Sequence, residues 1–585
     1  MRHESEMPAR KSFRKQAKPF AVGFLCWAQL YSGACTPAWP DIPAPPRRPF
    51  PPQTLPQSFW ALRERAAPAA VQLLSANEDA WAARWDILRN ATQRIDLVYF
   101  ILEDDVFGLS LLGLLHKKAL EGVAIQLLLD GRGSSKMTEF WSGRRYLETL
   151  VGTQSADIRI YNPPIERTLD SLARLSWVPA ASSNHDKIIV VDSYKSIIGG
   201  RNIAAGYFAN QVAPGTILDS DILIASSQSA KTMELAIAVE YHHRHRKKIR
   251  PRARTSPSDA DELLLYFHAM DIWLHQNEMS SPESAGTKET EGIRSEMALA
   301  LEQKSIEALG RIPSRRAQLR FRRRLLDLVT HRHLRGTLPR VFQERHLAPV
   351  HVVDTRARPD PREPRLFQAV AHLLESTKAS VFIETPYLVL TRGEVETLRR
   401  AGERGVSITI LTNSPESSDN PLSQAFFLSD WPEVLAAVPN LKLFATGGSA
   451  LLHSKRIVFD DQITMIGTHN LDPLSDFVNS EVVAVVLSKS FARENAFDLR
   501  KRLGQANVFE YRIARNEDGK ALRYPAEHPL AGQIRIRFGH LDHCHPDSLT
   551  DITRLQGLVG ILRTMPAMRP FRHAQGPTHQ GARTP

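Results

Sequence analysis

One pattern occurs twice in this 585-residue chain, and it restricts the fold more than any other feature. The first copy is Asn184-His185-Asp186-Lys187, then Asp192, then Gly199-Gly200-Arg201-Asn202. The second is Leu452-His453-Ser454-Lys455, then Asp460, then Gly467-Thr468-His469-Asn470. In both, Lys follows His by two residues, Asp by seven and Asn by seventeen. One such copy arises by chance on the order of once per thousand chains of this length. Two copies at corresponding places of a repeat are a duplication.

The surroundings repeat as well. Residues 94–102 read as a strand, 110–121 as an amphipathic helix and 122–130 as a second strand. Residues 380–387, 393–404 and 405–413 read the same way. Strand, helix, a C-cap glycine (Gly122, Gly405) and a β-branched run make a βαβ unit with parallel pairing. Further apolar runs recur at 188–191 and 457–459, and at 222–225 and 482–487. The predicted fold class is α/β: two repeats, each a mixed sheet flanked by helices.

Side chains two apart on a strand face the same side. His185 and Lys187 therefore project together, as do His453 and Lys455. Asp192 and Asp460 complete the two motifs, but Asp192-Ser193-Tyr194 and Asp460-Asp461-Gln462 have turn composition. These two carboxylates are expected to hold turns. Small residues at Gly199-Gly200 and Gly467-Thr468 allow backbone to approach a ligand, and Asn202 and Asn470 offer amide donors. Brought face to face, Lys187, Lys455, Asn202 and Asn470 would clamp one phosphoryl group. One His would attack phosphorus while the other protonates the leaving alkoxide. Carboxylates behind the rings would orient them. Asp221 and Glu481, at the starts of the next strands, are the candidates. Two ammoniums supply the positive charge, so this chemistry calls for no metal and no cofactor.

These residues resemble the signature of the phospholipase D superfamily, H-x-K-x4-D with a following G-G/S-x-N. Within it, the stretches at 197–208, 384–391, 410–419 and 466–481 resemble bacterial cardiolipin synthases, particularly their C-type subfamily. The resemblance implies a pseudo-twofold fold with one shared active site and a phosphohistidine intermediate. It implies that His185 is the nucleophile and His453 the acid/base. It also implies a phosphatidyltransferase acting on phosphatidylglycerol, with phosphatidylethanolamine as a further substrate, at a membrane surface of the bacterial envelope. Thr468 departs from the pattern but retains a hydroxyl. The motif residues do not separate transfer from hydrolysis to phosphatidic acid, because acceptor-site shape and water exclusion decide that. The net charge of +12 would also suit a nucleic-acid phosphodiesterase. The lipid-like stretches and the N-terminus argue against it.

Residues 1–35 read as an export signal or anchor: a basic head, an apolar stretch at 20–30, and Ser32-Gly33-Ala34-Cys35, which resembles a lipobox. Residues 36–74 read as a Pro-rich linker. The first repeat is assigned to 75–241 and the second to 347–545. Between them, 242–346 reads as a basic insertion, and 546–585 as a partly disordered tail. Within the insertion, Arg315–Arg335 puts Phe321, Leu325, Leu328 and Val329 at helical spacing. That helix fits either an anionic membrane or, as the commoner case, its own domain. The three cysteines, Cys26, Cys35 and Cys544, exclude a disulfide framework or a cysteine zinc cluster in the body.

Overall fold

The computed structural model describes residues 54–512, apart from 64, 174–177, 212, 214, 243–245, 252–256, 276–314, 339–345 and 357–364. The expected N-terminal signal and lipobox, all three cysteines and the expected C-terminal tail lie outside the described residues.

The first half builds β1 (Ala67–Leu74), β2 (Arg94–Tyr99), β3 (Ala124–Asp130), β4 (Ala156–Tyr161), β5 (Lys187–Val191), β6 (Lys195–Gly199), β7 (Ile217–Leu218), β8 (Asp221–Ala225) and β9 (Arg246–Lys248). The second builds β10 (His346–Thr355), β11 (Ser380–Glu384), β12 (Ser407–Asn413), β13 (Leu441–Thr446), β14 (Leu451–Leu452), β15 (Arg456–Phe459), β16 (Ile463–Gly467), β17 (Glu481–Leu487) and β18 (Val508–Tyr511). Sixteen of these form one sheet, ordered β18-β13-β12-β11-β15-β16-β17-β10-β1-β8-β6-β5-β2-β3-β4-β9. Reading inward from either end meets the same sequence of strand roles, so a pseudo-twofold axis passes between β10 and β1. These two pair antiparallel, from Ala67 opposite Val350 to Val71 opposite His346. The two repeats thus share a continuous sheet. Within each half, β2-β3-β4 and β11-β12-β13 are parallel and the remaining partners antiparallel. Strands β5 and β8 are buried at every position on both faces, as in KIIVV of β5, where only Lys187 is polar. The βαβ helices are Val106–Leu120, capped by Asp105, and Arg392–Glu403, opened by a Thr391/Glu394 capping box. Gly122 and Gly405 follow them at φ 88° and 89°, a left-handed conformation that glycine adopts without a Cβ clash.

Two segments differ from the sequence expectation. The described part of 36–74 is no linker. Leu55–Trp60 is a helix with a Thr54–Gln57 capping box, and Leu55 and Phe59 are buried against Val353, Leu366 and Val370 of the second half. Residues 67–74 are the central strand β1. Proline composition suggested a tether, but Pro56 sits in the first turn, where its missing N–H costs nothing. The insertion 242–346 was read as fitting neither half, yet its described parts pack on the first half. Strand β9 pairs with β4, and the helix Pro257–His275 buries Leu263, Phe267, Met270 and Trp273 in the first-half core. The helix Arg315–Thr330 lays Phe321, Leu328 and Val329 into the same core, in keeping with the expected packing of its apolar stripe on the protein itself. Among the described residues, no helix is long and apolar enough to cross a membrane.

Candidate active site

Each His-x-Lys motif enters the sheet along a segment zipped to the other half. Asn184 forms a parallel bridge with Ser480, the His185 N–H donates to Ser480 Oγ at 3.2 Å, and the Ser480 N–H donates to Ser183 O at 3.2 Å. By the pseudo-symmetry, β14 pairs parallel with β7, and the His453 N–H donates to Leu218 O at 2.7 Å. These cross-half contacts place the carboxylates crosswise. His185 Nδ1 lies 2.9 and 3.0 Å from the two oxygens of Glu481, from the second half. His453 Nδ1 lies 2.7 Å from Asp219 Oδ2, from the first half. With both Nδ1 atoms committed, both Nε2 atoms are left for chemistry. The Lys455 ammonium is 2.9 Å from His453 Nδ1 and donates to His453 O; that of Lys187 donates to His185 O at 2.5 Å. Phe100 lies under the first dyad, edge-on to the His185 ring at 5.1 Å and 5.4 Å from Lys187 Nζ. Tyr207 takes the corresponding place beside His453, at 5.4 Å.

Asp221 was expected to back a histidine, and the structure assigns that place to Asp219. The sheet register gives the reason. Gly199 opposes Asp221, whereas Gly467 opposes Val483, so Asp219 and Glu481 are the symmetry-related positions. The segment from Asn202 to Asp219 is six residues longer than that from Asn470 to Glu481. Asp219-Ser220-Asp221 mimics Asn479-Ser480-Glu481 two residues out of register. Asp221 instead neutralises two buried guanidiniums, Arg84 at 3.0 Å and Arg201 at 2.9 Å. Arg201 also donates to Asp219 O at 2.7 Å, fixing the backbone of the true partner. Gly199 and Gly200 were expected to admit a ligand. A Cβ on either would instead collide with the carboxylates of Asp221 and Asp219, so the glycines make room for the acids.

Asp192 and Asp460, grouped with the catalytic set by the motif, stand at the far end of β5 and β15 from the lysines. Asp192 accepts from the N–H groups of Thr92, Gln93 and Arg94 at 2.8 Å each. Asp460 does the same for Lys378, Ala379 and Ser380 at 2.8–2.9 Å. Both sit at positive φ, 50° and 49°. They clamp turns to the starts of β2 and β11, and neither touches the dyads. The three backbone donors hold the Asp192 carboxyl below its ordinary range against a burial effect that raises it. Its stabilising contribution is therefore present above the unfolded pKa and lost as pH falls through the folded one. Asp192→Ala is expected to cost about 2–4 kcal/mol of stability by orphaning these donors, read as a lowered Tm. A lowered kcat at unchanged Tm would contradict the clamp.

Asn202 is anchored, accepting from the Ile101 N–H at 3.0 Å and donating to Tyr207 Oη at 2.9 Å. One amide hydrogen is left for a ligand. Asn470 Oδ1 is buried without a hydrogen-bond partner. Thr468 donates to Val482 O and accepts from the Val482 N–H, so its hydroxyl serves the sheet. Phe100, Tyr207 and Asp219 were not legible, because each depends on loop length or tertiary packing.

The electrostatics are asymmetric. Burial pushes His185 well below its ordinary pKa, and the charges of Lys187, Lys455 and His453 add to this. His453 is lowered by burial and Lys455, but Asp219 acts in the opposite direction. Burial drives Asp219 up, yet Lys455 and His453 together hold it below its ordinary range. Burial lifts Glu481 to about 6. Burial lowers Lys187 to about 7 and Lys455 to about 8. Among the described residues, no cluster of three or more His, Cys, Asp or Glu is arranged to hold a metal ion.

A duplicated α/β sheet with two crossed His–carboxylate dyads and two lysines acting on them is the arrangement that the resemblance to the phospholipase D superfamily implies. The family described as "Cardiolipin synthase, PLD-like domain" matches residues 85–235 and 370–501, one segment in each half. The chain is 25% identical to cardiolipin synthase C of Escherichia coli K12 over 454 residues, covering 72% of this chain and 82% of that protein. It is 22% identical to a cardiolipin synthase of Geobacillus thermodenitrificans over 441 residues, covering 75% and 67%. In fold it resembles phosphatidylserine synthase of Haemophilus influenzae, with a TM-score of 0.53 at 12% identity, covering 88% of this chain and 99% of that one. These matches support a phospholipase D superfamily, cardiolipin synthase-like protein.

Proposed function

We propose that the protein is a phosphatidyltransferase that makes cardiolipin through a phosphohistidine intermediate, at a membrane surface of the cell envelope. The observation that carries this reading is the crossed pair of dyads, which commits both Nδ1 atoms to carboxylates and brings His453, Lys187 and Lys455 close enough for their charges to act on His185. His185 Nε2 attacks the phosphorus of a phospholipid. The N–P bond forms, the P–O bond to the first alcohol breaks, and His453 gives that alkoxide its proton. The terminal hydroxyl of a phosphatidylglycerol then loses its proton to His453 and attacks phosphorus. Its O–P bond forms as the N–P bond breaks, restoring His185. Lys187 and Lys455 stabilise the charge that grows on the equatorial oxygens. Neutral His185 suits attack, and ionised Asp219 supports the imidazolium that His453 becomes.

The reading is tested by lipid mass spectrometry of cells that lack their own cardiolipin, with and without this protein. Cardiolipin is expected to appear; phosphatidic acid alone would identify a hydrolase, and neither product would defeat the reading. The profile of kcat/KM against pH is expected to be bell-shaped. It rises as Glu481 ionises near 6 and falls as Lys187 and Lys455 deprotonate near 7 and 8. A bound phosphate raises both lysines, so the alkaline limb of kcat should lie higher. A rate that climbs steadily to pH 9 would contradict the role of the lysines.

A further inference from the structure

The oxygen that leaves phosphorus and the oxygen that attacks it both exchange a proton with His453. The head-group alcohol therefore lies on the His453 side of the phosphorus at each step. In a glycerol head group a second hydroxyl stands on the carbon next to the reacting one. What that arm meets is set by the side chains around His453.

One carboxylate stands there. The Asn413 amide donates to Pro386 O at 3.0 Å and to Leu452 O at 2.6 Å, the residues just before Tyr387 and His453. Leu388, just after Tyr387, bridges Leu471, just after Asn470. Tyr387 is thereby held beside both motif residues. Its hydroxyl donates to Asp419 Oδ1 at 2.7 Å. Burial, and then the Asp419 charge, hold that phenol well above its ordinary pKa, so it stays the donor. Asp419 is exposed, and among the described residues it has no ion pair and its Oδ2 has no hydrogen-bond partner. Its charge favours the protonated forms of His453, Lys455 and Tyr207, the last being the ring packed beside His453.

The His185 side differs at the corresponding place. Asp130 and Asn413 are equivalent, since each side chain accepts the N–H of the residue before its histidine, at 2.9 Å in both halves. Six residues further on stand Lys136 and Asp419. Lys136 is already paired with Glu103 at 2.8 Å. Asp419 keeps an acceptor oxygen open, and it does so within charge reach of a phosphate-binding lysine. A carboxylate in that position opposes an anionic diester, and a donor group on the same substrate would offset the opposition.

We propose that Asp419, positioned by Tyr387, accepts the second hydroxyl of a glycerol head group, or the ammonium of an ethanolamine one, and so selects the alcohol that His453 serves. This rests on the phosphatidyl-transfer reading and adds to it the residue that tells one alcohol from another. A site built to bond a donor arm discriminates against an alcohol whose arm ends in a methyl group.

The test supplies the full chain with phosphatidylglycerol vesicles and equal concentrations of ethylene glycol, ethanolamine and 1-propanol. These alcohols match in size, and their arms end in hydroxyl, ammonium and methyl. All three compete for one adduct, so the product ratios read selection alone. The wild-type protein is expected to favour the first two. In Asp419→Ala the ratios of phosphatidylethylene glycol and of phosphatidylethanolamine to phosphatidylpropanol are expected to fall about tenfold. In Asp419→Asn, which keeps an acceptor without the charge, the ethanolamine ratio is expected to fall further than the ethylene glycol ratio. Unchanged ratios in Asp419→Ala overturn the assignment. So does an equal fall in all three products, which would make Asp419 only an electrostatic support of His453 and Lys455. Failure of the parent reading looks different, because the wild-type protein would then form none of the three products and no cardiolipin.

Discussion

His185→Ala is expected to lose on the order of 10⁴-fold or more in turnover, and His453→Ala on the order of 10²–10⁴-fold. The two losses should differ in kind. With a phosphodiester whose leaving group is p-nitrophenol, departure needs little help from an acid. His453→Ala should therefore still form the adduct and release one equivalent of nitrophenol in a burst, then stall. His185→Ala should give no burst. The near-symmetry of the site makes this a sharp comparison, since the two rings have the same kind of partner in the same geometry. What separates them is charge. Lys187, Lys455 and His453 all press His185 toward its neutral form, while ionised Asp219 favours a proton on His453. A burst from His185→Ala and none from His453→Ala would exchange the two roles.

The second large effect separates two acids that stand two residues apart. Asp219→Asn is expected to lower kcat on the order of 10³–10⁴-fold with the fold retained, because an amide no longer holds the His453 tautomer or supports the imidazolium. Glu481→Gln should behave alike toward His185. Asp221→Asn should instead remove about 3–5 kcal/mol of stability, since it leaves Arg84 and Arg201 buried without their counter-charge. Thermal melts and steady-state rates on the same preparations distinguish these outcomes. A catalytic defect in Asp221→Asn at unchanged Tm, or full activity in Asp219→Asn, would return the partner role to Asp221.

The pair Asp219 and Asp221 also marks the limit of what the residues disclose by themselves. His, Lys, Asp and Asn recur at fixed spacing because a short strand, a turn and a return strand fix those intervals in both halves. The supporting acid lies beyond a loop that differs by six residues between the halves, so local likeness pointed to the wrong member. Strand pairing with Gly199 and Gly467 resolves it, and that pairing is tertiary information. The turn role of Asp192 and Asp460 was legible because turn chemistry is local. The helix at 55–60 was hidden by Pro56 and the prolines that precede it. The docking of 257–275 on the first half was hidden by basic flanks that look like solvent-facing chain.

The exchange of carboxylates between halves bears on how such a protein is made. His185 acquires its partner only when Glu481 has left the ribosome, and His453 is synthesised long after Asp219. A nascent chain that has emerged only as far as the first repeat carries an imidazole with no acid to orient it. Translation thus delivers both competent histidines late, and a product terminated before residue 453 has neither.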